Sequence, residues 1–95
     1  MATYDVAHIR EQGVDLIIIP LRSSFEHRTQ GEQDETLHYL QECASAAGLA
    51  GTVVPVWESS NGRIASLAPP NYHPFFRSIN MDYVRANINR TLTCY

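Results

Sequence analysis

Val14-Asp15-Leu16-Ile17-Ile18-Ile19-Pro20-Leu21 is the most apolar run in the chain, and its reading decides the fold. Three consecutive isoleucines, stiff at χ1 because Cβ is branched, suit an extended backbone. Gly13 precedes the run and Pro20 stands near its end, which leaves too few residues for a stable helix and about the right number for a strand. Apolar and polar residues do not alternate, so both faces are expected to be covered and the strand to lie in the interior of a sheet. Pro20 has no N–H, so pairing on at least one side is expected to stop there. A short chain offers few elements to cover Ile17-Ile18-Ile19 on both sides. A second copy supplying the missing layer, hence a homodimer, is the corresponding expectation.

Upstream, Thr3 to Arg10 fits either a strand, with Tyr4, Val6 and His8 on one face, or a helix on which Val6, Ile9 and Arg10 share a side. Glu11-Gln12-Gly13 has hairpin length, which favours the strand. Downstream, Arg22 to Arg28 reads as a polar loop with one aromatic residue, Phe25. Thr29-Gln30-Gly31-Glu32 has the form of a capping box, and acidic residues in the first turns complement the helix dipole. Leu37, Leu40, Ala44 and Ala47 then recur at helical spacing with Cys43 beside them, and Gly48 can end the helix. An amphipathic helix over 30–47 follows.

Gly51 to Trp57 reads as a valine-rich strand that Pro55 places at an edge or a bulge. Ser59-Ser60-Asn61-Gly62 is a hairpin turn leading to a strand over 63–68, which Pro69-Pro70 stops. Around Pro74, a short helical turn is expected to pin Phe75 and Phe76 to the core. Asn80 can cap a helix in which Met81, Val84 and Ile88 share a face, and residues 91–95 alternate as a terminal strand. The pattern predicts one α+β domain over 1–95: hairpin, long helix, second hairpin and short C-terminal helix, with a small, mostly antiparallel sheet. The alternative is a compact α/β unit with residues 3–12 helical and strands 14–21 and 51–57 paired in parallel through the long helix.

Ninety-five residues suffice for one core, and the composition, 44% apolar and 18% charged, is that of a globular protein. Net charge is −3 and the seven basic residues are all arginine. Without a concentrated positive field the sequence argues against a nucleic-acid partner. No apolar run approaches the ~20 residues of a membrane-spanning helix, and no basic segment followed by an apolar stretch marks a signal peptide. The chain is therefore read as cytoplasmic, with Cys43 and Cys94 as reduced thiols and the Asn89-Arg90-Thr91 sequon without meaning.

The histidines and cysteines show none of the spacings that bring metal ligands together on one element, so no metal and no cofactor is expected. Cys43, beside the apolar stripe of a helix and far from its N-terminus, reads as a buried inert thiol rather than a nucleophile. No serine stands in a nucleophile elbow, and no glycine-rich phosphate loop is present. Two constellations remain. Arg22, His27 and Arg28 lie between an interior strand and a helix start, where guanidinium groups and free helix N–H groups together make an anion site. Trp57, Tyr72 and His73, with Phe75 and Phe76, are either core packing or the lining of a ligand pocket. The functional expectation is a small non-catalytic accessory or protein-interaction domain, homodimeric. Its alternative is an anionic-ligand binder or minor enzyme using the arginine loop and the Trp57/Tyr72 region.

Overall fold

In the computed structural model, which describes residues 2–94, the isoleucine run occupies the middle of a five-stranded sheet. The strands are β1 (Ala2–Glu11), β2 (Val14–Pro20), β3 (Thr52–Glu58), β4 (Ile64–Ser66) and β5 (Arg90–Cys94); the helices are α1 (Gln30–Ala46), α2 (His73–Ser78) and α3 (Met81–Ala86). Strand order is β4-β3-β2-β1-β5. A two-residue turn joins β1 to β2, with positive φ at both Gln12 (53°) and Gly13 (76°), the geometry that follows the twist of antiparallel strands. The first half of β1 pairs antiparallel with β5, from Ala2↔Cys94 to Val6↔Arg90. Only β2 and β3 run parallel, because α1 carries the chain back to the end of the sheet where β2 began.

The fold is α+β with a mostly antiparallel sheet, and residues 2–11 form a strand rather than a helix. One feature of the alternative is nonetheless present, the parallel pairing of strands 14–20 and 52–58. Pro55 corrects another expectation: β3 is not an edge strand, and Pro55 is buried. Its carbonyl accepts the Leu67 N–H at 3.1 Å just beyond the last β4 residue, so the donor that proline lacks is missing where the ladder ends. The strand expected over 63–68 is correspondingly shorter, 64–66.

Side chains alternate between two cores. Ile17 and Ile19 meet Leu40 and Ala44 of α1, together with Val6, Val53 and Leu92. Ile18, on the other face with Leu16, Val54 and Val56, meets Tyr72, Phe76, Met81 and Val84. All three isoleucines are fully buried within one chain. The layer that a second copy was expected to supply is provided by α2 and α3, the short helices expected around Pro74 and after Asn80, which pack Phe76, Met81 and Val84 on that face. Asn80 caps α3, its Oδ1 accepting the Tyr83 N–H at 2.9 Å; the helix ends at Ala86, before Ile88.

The capping box of α1 forms as its sequence predicts. Thr29 Oγ1 accepts the Glu32 N–H at 3.1 Å, and Glu32 Oε1 accepts the Thr29 N–H at 3.0 Å. At the other end the Gly48 N–H donates to the Ser45 carbonyl and the Leu49 N–H to the Ala44 carbonyl, with Gly48 at φ 80°. These paired bonds make a Schellman motif, and Leu49 folds back onto the core. Ala47 is the C-cap and is exposed, contrary to its place on the expected buried stripe; Leu49 takes that role instead.

The cysteines also differ from expectation. Cys43 and Cys94 are joined by a disulfide, with Cα atoms 5.5 Å apart. Cys43 borders the sheet-facing side of α1, and Cys94 lies on the α1 side of β5, so the topology sets them side by side across a separation of 51 residues. Tyr95, the last residue of the expected terminal strand, lies outside the described residues.

Candidate functional site

Arg22, His27 and Arg28 surround the 3-10 turn Ser23–His27 that connects β2 to α1. All three are exposed, but they do not converge. Arg22 lines a cleft of about 620 Å³ at the carboxyl end of β2, with Glu58, Met81 and Arg85 among its walls. His27 lines an adjacent cleft of about 500 Å³ with Glu26, Glu58 and Ser60. Arg28 instead follows α1, its Nη1 3.9 Å from Glu32 Oε2. The start of α1 is already occupied by the Glu32 carboxylate. The backbone hydrogen bond from Thr29 lowers the Glu32 pKa from its ordinary value, reinforced by the Thr29 hydroxyl and, to a smaller extent, the charge of Arg28. An anion arriving there would meet a filled cap. The residue that does join Arg22 is Arg85 of α3, itself 3.4 Å from Asp82. No spacing in the sequence relates positions 22 and 85; only the packing of α3 against β2 does.

The aromatic constellation separates as well. Trp57 is buried, shares the α1 face with Val53 by strand alternation, and stacks edge-on against Phe25 at 5.0 Å. Its indole Nε1 is buried and finds no hydrogen-bond partner among the described residues. Tyr72 is buried in the opposite core, under α2 and α3. A single pocket lined by both residues is therefore absent, because the sheet lies between them. The His73 ring nitrogen sits 3.0 Å from the Ala68 carbonyl and fixes the start of α2 against the preceding segment.

Two other surfaces emerge. Beside the edge strand β5, the exposed Tyr39, Glu42 and Ala46 of α1 and the adjoining Ala47 surround the Cys43–Cys94 bridge and line a depression of about 320 Å³. At the other side of α1, a groove of about 600 Å³ runs between the helix and Leu67–Pro69, with Leu37, Gln41 and Val53 among its lining residues. Gln41 spans its floor: Oε1 accepts the Val53 N–H at 2.9 Å and Nε2 donates to the Gly51 carbonyl at 3.3 Å. Neither surface was foreseen from the sequence, since each depends on which strands end at the sheet's borders. Comparison with family models, with curated proteins and with solved structures finds no match for the chain.

Proposed function

We propose that this chain is a non-catalytic interaction module that works as a homodimer paired through β5. The observation that carries this reading is the free edge of β5 beside the exposed Tyr39–Ala46–Ala47 strip of α1. An edge strand turns half of its backbone donors and acceptors away from its only neighbour, and antiparallel pairing of two copies about a two-fold axis satisfies them. Such pairing would bring both α1 helices to the same face of one continuous sheet, with Tyr39, Ala46 and Ala47 of one copy toward those of the other and Glu42 beside them. Within β5 there is no proline to interrupt a new ladder. Three of the four histidines are held by neighbours, which favours a non-catalytic role; the fourth, His27, lines the cleft beside Glu26 and Glu58. The ring nitrogens of His8 and His73 lie 2.8 and 3.0 Å from the backbone carbonyls of Ala50 and Ala68, and His38 pairs with Glu42 at 3.0 Å on the outer side of α1. The test is sedimentation equilibrium at roughly 10–100 μM, where a modest interface of this kind should populate the dimer. A mass of twice the 10.7 kDa chain is expected for the wild type. Thr91→Lys/Thr93→Lys, which sets like charges along the joined edges, should give a folded monomer. A wild type that sediments as a monomer throughout defeats the reading.

A second reading rests on Arg22 and Arg85 lining one cleft at the carboxyl end of the parallel pair. Open α/β units hold ligands outside the carboxyl ends of parallel strands, and two guanidinium groups favour a carboxylate or phosphate. A specific site would make added phosphate raise the melting temperature of the wild type more than that of Arg22→Ala/Arg85→Ala. Parallel shifts would leave only the general salt effect.

A further inference from the structure

We propose that the groove between α1 and Leu67–Pro69 docks an extended peptide whose apolar side chains are flanked by arginine or lysine, and that this peptide pairs along the outer edge of β3. This surface lies at the opposite side of the sheet from β5 and does not depend on dimerisation.

The argument begins with unequal strand lengths. β3 spans Thr52–Glu58, but β4 pairs with it only from Val56 to Glu58. The Leu67 N–H adds one more bond, to Pro55. Before that point, among the described residues, no strand flanks β3 on the side away from β2. There the Val53 N–H and the Gly51 carbonyl face outward and are both held by the carboxamide of Gln41. One donor and one acceptor on a single planar amide reproduce what a neighbouring strand would offer. A peptide backbone offers the same pair of groups in a continuing series, so it can replace Gln41 and extend the sheet.

The groove supplies the side-chain contacts. In an extended peptide alternate side chains point to one face. Those on the α1 side would enter a channel whose apolar lining comes from Leu37, Val53, Leu67, Ala68 and Pro69. Charge selects the flanks. α1 has four carboxylates and neither lysine nor arginine; Asp34 is the one that lines the groove, beside His38, while Glu32, Glu35 and Glu42 lie outside it. Basic residues on either side of the apolar ones complement that helix, whereas acidic ones are repelled.

The experiment uses a fluorescein-labelled nonapeptide in which arginine pairs flank a central Val-Thr-Val-Thr-Val segment, its glutamate-for-arginine counterpart, and a version N-methylated at the valines. Anisotropy titration against the intact chain is expected to show saturable binding of the basic peptide, with a Kd on the order of 10–100 μM. The acidic and N-methylated peptides should bind at least about fivefold more weakly, through lost charge complementarity and lost backbone hydrogen bonds respectively. NMR spectra of the labelled protein should show the Gln41 side-chain amide and the Val53 amide moving on titration. Ala68→Arg, which places a bulky positive charge in the channel, should abolish binding. Gln41→Ala, which removes the competitor, should tighten it about threefold, the effect of roughly one net hydrogen bond. Circular dichroism establishes that each variant is folded. Absence of binding at about 1 mM peptide, undiminished binding after N-methylation, or shifts that leave Gln41 and Val53 unmoved would each overturn the proposal. The last outcome would indicate a partner bound elsewhere or docked as a helix.

Discussion

The carboxamide of Asn89 closes on the backbone of His8: its Oδ1 accepts the His8 N–H and its Nδ2 donates to the His8 carbonyl, both at 2.9 Å. Asn89 immediately precedes β5, and its own N–H donates to the Val6 carbonyl at 3.0 Å. One side chain thus carries the pairing of β1 past the end of its neighbour, as Gln41 does for β3. The chain ends both short ladders with an amide side chain instead of further strand. Replacing Asn89 with alanine should cost about 1 kcal/mol, the net worth of exposed hydrogen bonds that water can replace. Faster hydrogen exchange at the His8 amide is the sharper sign, and unchanged exchange there would show that the contact does not persist in solution.

Leu40 is fully buried between α1 and the sheet, against Ile17, Ile19 and Val53. Leu40→Ala truncates the fully buried leucine of α1 and should cost roughly 2–5 kcal/mol, by transfer and cavity terms together. Urea denaturation measures this directly. A loss below about 0.5 kcal/mol would mean that the α1 face collapses around the gap or is packed differently.

Glu32 gives the stability a defined pH dependence. Its folded pKa is lowered below the ordinary 4.5, first by the Thr29 N–H and then by the Thr29 hydroxyl. The unfolded chain therefore binds the proton more readily, so stability from this group is fully present above about pH 4.5 and disappears as pH falls through the lower folded value. Glu32→Gln keeps the shape of the capping box without a titrating charge. The stability difference between wild type and variant should be constant from about pH 5 upward and shrink at lower pH. A difference that does not change on acidification would place the carboxylate outside the cap.

Local signals carried much of this fold. The triple isoleucine located the central strand, Thr29 and Glu32 marked the start of α1, and Gly48 its end, because each acts through neighbours within a few residues. What depended on distant partners was not legible. Pro55 appeared to exclude β3 from the interior, yet what matters is where β4 stops, 11 residues further along. Tyr72 and Trp57 looked like one aromatic cluster until the sheet separated them. Arg28, expected to meet an anion with Arg22, found the carboxylate of Glu32 one turn away. Gln41 offered no signal, since an amide on a helix is ordinary until an unpaired strand edge lies beneath it.

Cys43 and Cys94 close a covalent loop that ties α1 to the edge strand β5 across 51 residues. Joining positions so far apart restricts the unfolded chain much more than the folded one, which already holds their Cα atoms 5.5 Å apart. The loop-entropy relation gives about 4 kcal/mol for a separation of this size. Cys43 is only half-buried, so a dithiol reductant can reach it, exchanging the protein disulfide for two protein thiols and a disulfide of its own. Guanidinium unfolding of the oxidised chain, the reduced chain and Cys43→Ser/Cys94→Ser should show a higher midpoint for the first than for the other two. The unfolded oxidised chain is also more compact, so its denaturant slope should be the shallower. Hydrogen exchange should quicken first in β5 after reduction, because the bridge is what ties that strand to α1. Coincident midpoints, together with two titratable thiols in the untreated protein, would show that the bridge does not form in solution.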